Sequence, residues 1–92
     1  MSYAIRHAPE ARRFVADVDG TTAYITYREV EPHILELDHT FVPLPFRGGG
    51  IASQLTKHAL EYARERGYRV VPSCPFVAAY IARHPEYRDL RV

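Results

Sequence analysis

The sequence predicts an α+β fold: a three-stranded antiparallel meander, then a helix, a parallel strand and a short C-terminal helix. Apolar residues alternate with polar ones on both sides of Asp19-Gly20, and a helical period runs over Ile51–Arg66. A short β-rich segment, Tyr68–Val71, follows this helix. Because strand, helix and strand succeed one another, Ile34–Val42 and Tyr68–Val71 should be parallel neighbours in one sheet.

The meander is indicated by three consecutive β-rich segments. Arg13–Val18 and Thr21–Val30 flank Asp19-Gly20, a pair that tolerates the positive φ angles of a tight hairpin. Glu31-Pro32-His33 ends the second strand, since proline cannot continue a strand ladder. Ile34–Val42 reads as the third strand. Its alternation predicts one apolar side made by Leu35, Leu37, His39 and Phe41, and an opposite side made by Glu36, Asp38 and Thr40.

Two helices follow the meander. The first, Ile51–Arg66, repeats apolar residues at every fourth position, and Gly67 is suited to end it in a left-handed conformation. Pro75 predicts the start of a second helix over about Phe76 to Arg83, which His84-Pro85 ends. Its inward residues should be Val77, Tyr80 and Ile81. The last residues, Glu86–Val92, predict no element.

Composition limits the classes of function. The 92 residues suffice for one domain, 1–92, and the formal net charge of +1 argues against a nucleic-acid partner. Met1–Ala16 contains too many charges for a signal peptide, and no apolar run approaches the ~20 residues that cross a bilayer. One cysteine, Cys74, excludes an intramolecular disulfide and a Cys-rich metal site. We therefore expect a cytoplasmic protein without metal or membrane partner; its oligomeric state is not indicated.

A glycine-rich turn connects the meander to the first helix. Gly48, Gly49 and Gly50 allow a sharp bend and close approach to a ligand, and Arg47 precedes them. The helix that starts near Ile51 directs free amides and a positive dipole end at this turn, which suits a diphosphate. The sequence fits neither a Walker loop nor a dinucleotide-binding Gly-x-Gly-x-x-Gly pattern. The alternative is a tight connection that binds nothing.

Four motifs extend this observation over the C-terminal half of the chain. They are His39-Thr40-x-Val42-Pro43, Arg47-Gly48-x-Gly50-Ile51-Ala52, Pro72-x-Cys74-Pro75-Phe76-Val77 and Tyr80-Ile81-x-Arg83-His84-Pro85-x-Tyr87. With them, the chain resembles the minimal GCN5-related N-acetyltransferase-like family, and Phe14 and the Asp19-Gly20 turn fit its N-terminal strands. The resemblance implies the corresponding α+β fold and an acetyl-coenzyme A site. It also leads us to expect no N-terminal helices of the kind that shape the acceptor site in larger relatives.

The resemblance also implies how coenzyme A would be held. The backbone amides of the turn and of the helix start, Gly48, Gly49, Gly50, Ile51 and Ala52, would bind the diphosphate, and Arg47 would support them electrostatically. The strand end formed by Thr40, Phe41 and Val42 would pair with the pantetheine amides, which pass between splayed strands.

Three residues are candidates for catalysis. Cys74 follows the second parallel strand, at the sheet edge where ligands collect, and could carry the acetyl group as a thioester or position the acceptor. His39 could act as a general base, since an imidazole titrates near neutral pH. By its place in the architecture, Tyr80 resembles the general acid of larger acetyltransferases. Each has a structural alternative: a small buried hydrophobe for Cys74, and core residues for His39 and Tyr80.

The sequence therefore predicts an N-acetyltransferase that transfers the acetyl group of acetyl-coenzyme A to an amine of an unidentified small-molecule or protein acceptor. Direct attack by the amine and a thioester route through Cys74 both remain open. A non-catalytic module that binds coenzyme A is the alternative function. A protein-interaction domain with a ligand-free turn is a further one.

Overall fold

A computed structural model describes residues 3–92, and five strands in it form one mixed sheet. The strands, in their order across the sheet, are β1 (Ile5–Ala8), β2 (Arg13–Val18), β3 (Thr21–Glu31), β4 (Ile34–Phe41) and β5 (Arg69–Val71). The first three pairings are antiparallel, and β4 pairs with β5 in parallel. The α+β prediction is therefore confirmed, including the parallel pairing across the long helix.

The predicted hairpin forms between β2 and β3. Asp19 and Gly20 have φ angles of 49° and 77°, so both turn residues are left-handed, as a tight two-residue hairpin requires. The strand β1 was not predicted. It pairs with β2 and places His7 opposite Phe14 on the core side. Its four residues include Arg6 and His7, so they lack the apolar alternation that marks a strand.

Two helices pack with the sheet: α1 (Ile51–Arg66) and α2 (Pro75–Arg83). The predicted stripe of α1 is buried and joins a core that includes Phe14, Ile25 and Leu37. Gly67 ends α1 with a φ of 70°, and its amide bonds to the last turn of the helix, as predicted. No helix within residues 3–92 has both the length and the apolar character needed to span a bilayer.

The C-terminal residues, for which the sequence predicted no element, form a 3-10 helix over Pro85–Leu90. The hydroxyl of Tyr87 donates to Glu61 Oε2 at 2.5 Å, and burial together with this bond raises the pKa of the phenol. Arg64 forms an ion pair with Asp89 at 3.0 Å. These contacts join the tail to α1, more than twenty residues earlier in the chain, so no local pattern could indicate them.

A β-bulge in β4 changes which side chains face the core. Thr26 of β3 pairs with His39, whereas the next residue, Tyr27, pairs with Leu37, so Asp38 is the extra residue on β4. The alternation therefore reverses at Asp38. Thr40 pairs with the buried Ile25 and lies on the core side.

The predicted apolar side of this strand is therefore wrong beyond Leu37. His39 and Phe41 lie on the opposite face of the sheet, where the ring of Tyr24 is 6.3 Å from the imidazole and 5.4 Å from the phenyl ring. Thr40, which was assigned to the polar side, faces the core instead.

The two parallel strands part after three residue pairs. β4 and β5 are in register from Ile34–Arg69 to Glu36–Val71, but β4 continues to Phe41. At the point of separation the amide of Cys74 donates to the carbonyl of Leu37 at 3.0 Å. This bond holds the start of α2 beside β4, and a cleft opens between the diverging chains.

A histidine forms part of the aromatic cluster on the core side of the sheet edge. The Nε2 atom of His7 lies 2.5 Å from the hydroxyl of Tyr27, and its ring stacks on Phe14 with centroids 4.5 Å apart. Burial lowers the pKa of His7, and the positive charges of Arg66 and His58 act in the same direction. The folded protein therefore resists protonation of this imidazole.

Acidification should consequently destabilise the fold through His7. In the unfolded chain the imidazole takes up its proton near the ordinary pKa of 6.5, whereas in the folded chain it does so only at lower pH. Within that interval the unfolded state binds more protons, so the free energy of unfolding falls as pH decreases, by at most about 1.4 kcal/mol per pH unit for one proton. Urea denaturation between pH 7.5 and 5.5 measures this slope.

The variant His7→Gln should flatten the pH dependence, because the amide can still bond with Tyr27 but does not titrate. His33→Asn is the control, since His33 is exposed at a left-handed turn position that asparagine tolerates. An unchanged slope in His7→Gln would contradict the assignment.

Candidate active site

A cavity of about 620 Å³ lies where β4, the glycine turn and the start of α2 meet. Most of the residues predicted to form the site line it. From the predicted set these are His39, Thr40, Phe41, Val42, Arg47, Gly48, Gly50, Ile51, Ala52 and Cys74. Two predicted residues, Gly49 and Tyr80, are not part of this lining. The structure thus brings the glycine turn, the end of β4 and the thiol together around one space.

The glycine turn has a backbone conformation that only glycine adopts readily. Gly48 and Gly50 have φ angles of 87° and 86°, and Gly50 is the N-cap of α1. Because this cap has no side chain, it leaves the first amides of the helix open. Among residues 3–92, no backbone or side-chain acceptor bonds to the amides of Ile51, Ala52 and Ser53. These donors lie at the positive end of a 16-residue helix, an arrangement that favours the binding of an anion.

Arg47 adds positive charge to the same end of the cavity. Its Nε atom donates to the carbonyl of Val42 at 2.9 Å, which fixes the guanidinium between the end of β4 and the turn. The cavity lining contains this arginine and no carboxylate. A negatively charged group can therefore enter without facing charge of the same sign.

The rest of the lining is largely apolar and includes residues that sequence reasoning missed. These are Phe46, Ser53 and Phe76. Phe76 is 39% exposed and lies one residue after Pro75, outside the set of predicted inward residues. A large apolar residue in the first turn of α2, outside the predicted buried set, was the sequence feature that could have indicated a binding surface. Phe46 ends a short 3-10 helix, Leu44–Phe46, that the sequence did not indicate. The cavity therefore suits an elongated ligand with an anionic end and a less polar remainder.

Cys74 occupies the N-cap of α2 and is only 7% exposed, yet its side chain borders the cavity. Its thiol is free, and Sγ lies 3.5 Å from Thr40 Oγ1. Cys74 is therefore packed with the core and also borders the cavity, and its role as a nucleophile stays a prediction.

His39 borders the same cavity, but its imidazole does not share a face of β4 with Thr40. The bulge places His39 next to Tyr24 and directs Thr40 towards the thiol. Within the described part of the chain, the hydroxyl of Thr40 is the hydrogen-bonding neighbour of Cys74. The catalytic role of His39 stays a prediction.

Tyr80 is buried in the packing between α2 and the C-terminal 3-10 helix. Its ring stacks on His84 with centroids 3.9 Å apart, and it lies 6.1 Å from the ring of Tyr87. Burial raises the pKa of its phenol, with Glu86 and Glu61 acting in the same direction. The phenol therefore keeps its proton, but Tyr80 does not line the cavity, and its role as a general acid stays a prediction.

In this structure two parallel strands part beside a glycine turn and the start of a helix. This arrangement agrees with the fold of GCN5-related N-acetyltransferases. The family model described as GCN5-related N-acetyl-transferase matches residues 13–90, which is most of the chain. The protein therefore belongs to the GCN5-related N-acetyltransferase family.

Relatives of this chain come from vertebrates and bacteria. It is 31% identical to Protein NATD1 of Gallus gallus over 83 residues, which cover 88% of this chain and 76% of that protein. Protein NATD1 of Homo sapiens shows the same identity over 88% of this chain and 74% of its own length. A GCN5-like protein from Staphylococcus aureus, solved by NMR, superimposes with a TM-score of 0.73 at 28% identity, covering 98% and 88% of the two chains.

The glycine turn yields a prediction that does not depend on any ligand. Gly50→Ala forces an L-residue into a left-handed conformation, which should lower the free energy of unfolding by about 1–2 kcal/mol. Gly49→Ala is the matched control, because Gly49 does not have a left-handed φ and its new Cβ would meet only Tyr3 Oη at 3.3 Å and Phe46 O at 3.5 Å. Chemical denaturation of both variants measures the difference; equal losses would contradict the described turn.

Proposed function

We propose that this protein transfers the acetyl group of acetyl-coenzyme A to an amine. The observation that carries the proposal is one cavity that combines the uncapped amides of α1 and Arg47 with the thiol of Cys74. An anion site and a nucleophile in the same space suit a co-substrate that has a diphosphate and a reactive thioester.

The anion site would bind the diphosphate of coenzyme A. The amides of Gly48, Gly49, Gly50, Ile51 and Ala52 would donate hydrogen bonds to its oxygens, and Arg47 would balance its charge. Support comes from the left-handed glycines, which leave no side chain between the backbone and a ligand. Charge-assisted bonds from preorganised amides are stronger than neutral ones.

The parted strands would hold the pantetheine arm. β4 continues past its pairing with β5, so the backbone of Thr40, Phe41 and Val42 borders the cavity at an edge that β5 leaves open. An extended ligand with amide groups can pair with such an edge as a further strand would. The apolar side chains of Phe46 and Phe76 would cover the methylene groups of the arm.

Two chemical routes fit these residues. In the direct route, a neutral amine attacks the acetyl carbonyl, its nitrogen forms the new bond, the bond to the coenzyme A sulfur breaks, and the amine loses a proton to a base such as His39. In the thioester route, Cys74 attacks first, so that the acetyl group moves to its Sγ and coenzyme A leaves as the thiol. The amine then displaces Cys74. In either route Tyr80 would be the residue proposed to protonate the departing sulfur.

The acceptor and the cellular compartment of the reaction are also part of the proposal. The acceptor is an amine of a small molecule or a protein. A reducing, cytoplasmic setting suits the thioester route, since Cys74 is the sole cysteine and must stay unoxidised. Residues 1–92 would form a single catalytic domain.

Coenzyme A binding should depend on Arg47. The variant Arg47→Ala removes one cation from the proposed diphosphate site and should weaken binding of coenzyme A by about tenfold, with a smaller dependence on salt. Isothermal titration at two salt concentrations measures both effects. Arg88→Ala, an exposed arginine on the C-terminal 3-10 helix, is the control and should bind normally. Absence of any binding to the unmodified protein would favour a protein-interaction role instead.

The route can be read from the intact mass of the protein after incubation with acetyl-coenzyme A. Addition of one acetyl group to the unmodified protein, and none to Cys74→Ala, would support the thioester route. Turnover with an amine acceptor at unchanged protein mass would support direct transfer. Retained coenzyme A binding without an adduct and without turnover across a panel of amines would favour the non-catalytic binding module.

A further inference from the structure

We propose that Thr40 is a positioning residue for Cys74: its hydroxyl donates a hydrogen bond to Sγ and stabilises the thiolate. The two atoms lie 3.5 Å apart, and both residues line the cavity. This inference rests on the thioester route of the proposed function. It assigns to the side chain of Thr40 a role separate from the one proposed for its backbone.

The bulge in β4 is what directs Thr40 at the thiol. Asp38 is inserted between the pairs Tyr27–Leu37 and Thr26–His39, and this one-residue shift moves Thr40 to the core side. The hydroxyl of Thr26 fixes the inserted residue by donating to Asp38 Oδ1 at 2.5 Å. Without the insertion, regular alternation would place Thr40 on the opposite face and His39 on the core side.

The position of the sulfur is fixed by the hydrogen bonds of the Cys74 backbone. The amide of Cys74 donates to Leu37 O at 3.0 Å, and its carbonyl accepts the first helical bond of α2, from Ala78, at 3.1 Å. Pro75, directly after it, has a restricted φ. Thr40 is β-branched, so its hydroxyl samples few positions. Two fixed backbones thus hold Oγ1 and Sγ in contact.

This contact affects both halves of a thioester route. When the thiol loses its proton to solvent or to a base, the Thr40 hydroxyl can donate to the negative sulfur, and it keeps its own proton throughout. Cys74 Sγ then forms a bond to the acetyl carbon as the bond to the coenzyme A sulfur breaks. In the second half, the same hydroxyl stabilises Sγ as the leaving group when an amine attacks.

Other charged groups near the thiol are the same in all Thr40 variants. They are Arg47 in the cavity lining, His39 on the far face of β4, and Glu36, which accepts a hydrogen bond from Ser73 Oγ at 2.5 Å. A difference between Thr40 variants therefore reports the hydroxyl itself.

The test is the rate of alkylation of the full-length protein by iodoacetamide as a function of pH. Cys74 is the sole cysteine, so every adduct reports this thiol. Thr40→Val keeps the shape and removes the hydroxyl, and it should move the midpoint of the rate profile upward by about one pH unit, equal to about a tenfold slower reaction at low pH. Thr40→Ser should restore the profile of the unmodified protein. Thr22→Val, the same change on the outer face of β3, should leave it unchanged.

The outcomes separate this inference from the proposed function, because alkylation requires neither coenzyme A nor acetyl transfer. An upward shift in Thr40→Val with rescue by serine supports the role of Thr40, whether or not acetyl-coenzyme A acetylates Cys74. A rate that changes equally at all pH values, or the same shift in the serine variant, overturns it. If Thr40→Val does not fold, Thr40→Ala, which also lacks the hydroxyl, takes its place, and the same upward shift supports the inference whereas an unchanged profile overturns it.

Discussion

The hydrogen bond from the amide of Cys74 to the carbonyl of Leu37 is the contact on which the candidate site depends. It forms where β5 has already ended its pairing with β4, so it holds the start of α2 against a strand that continues alone. A longer β5 would fill the cleft with its own backbone. A looser α2 would leave the thiol without a fixed position. The parting of two parallel strands thus creates the cavity and fixes the position of the Cys74 thiol beside it.

The glycine turn forms the opposite end of the cavity. Here the backbone conformation of the turn, and not the separation of two strands, opens the space. Left-handed φ angles at Gly48 and Gly50 turn the chain directly into α1 and leave the first helical amides without a side-chain cap. A serine or aspartate cap would satisfy one of these amides and stabilise the helix. The helix forgoes that stabilisation here, and its stability depends on the buried stripe that contacts the sheet. Burial of that stripe therefore allows the first amides of the helix to remain without a side-chain cap.

The bulge at Asp38 determines which side chain of β4 contacts the Cys74 thiol. It exchanges the faces of His39 and Thr40, so that a hydroxyl and not an imidazole meets the sulfur. The uncharged partner changes the chemistry available to the thiol. An imidazole can take its proton, whereas a threonine hydroxyl can only donate a hydrogen bond to the thiolate. A single inserted residue therefore decides that a hydroxyl is the direct neighbour of the Cys74 thiol.

The sequence by itself determined the meander, both helices, the parallel pairing of β4 and β5, and most residues of the cavity lining. The strands and helices follow from local causes, namely the apolar period and turn residues such as Asp19-Gly20, and the parallel pairing follows from the order of the elements. The lining residues at the end of β4 were expected from the resemblance that the four motifs carry. Tertiary structure alone decided the strand β1, the C-terminal 3-10 helix, the facing of His39 and Thr40, and the distance of Tyr80 from the lining. The C-terminal 3-10 helix depends on contacts between residues far apart in the chain, such as Tyr87 with Glu61, and the facing of His39 and Thr40 depends on one unpaired residue in a strand ladder. The strand β1 lacks the apolar alternation that would mark it in the sequence. The apolar period and the composition indicate neither the bulge nor the long-range contacts. A bulge leaves the residue pattern unchanged, and a long-range hydrogen bond has no local sequence signature.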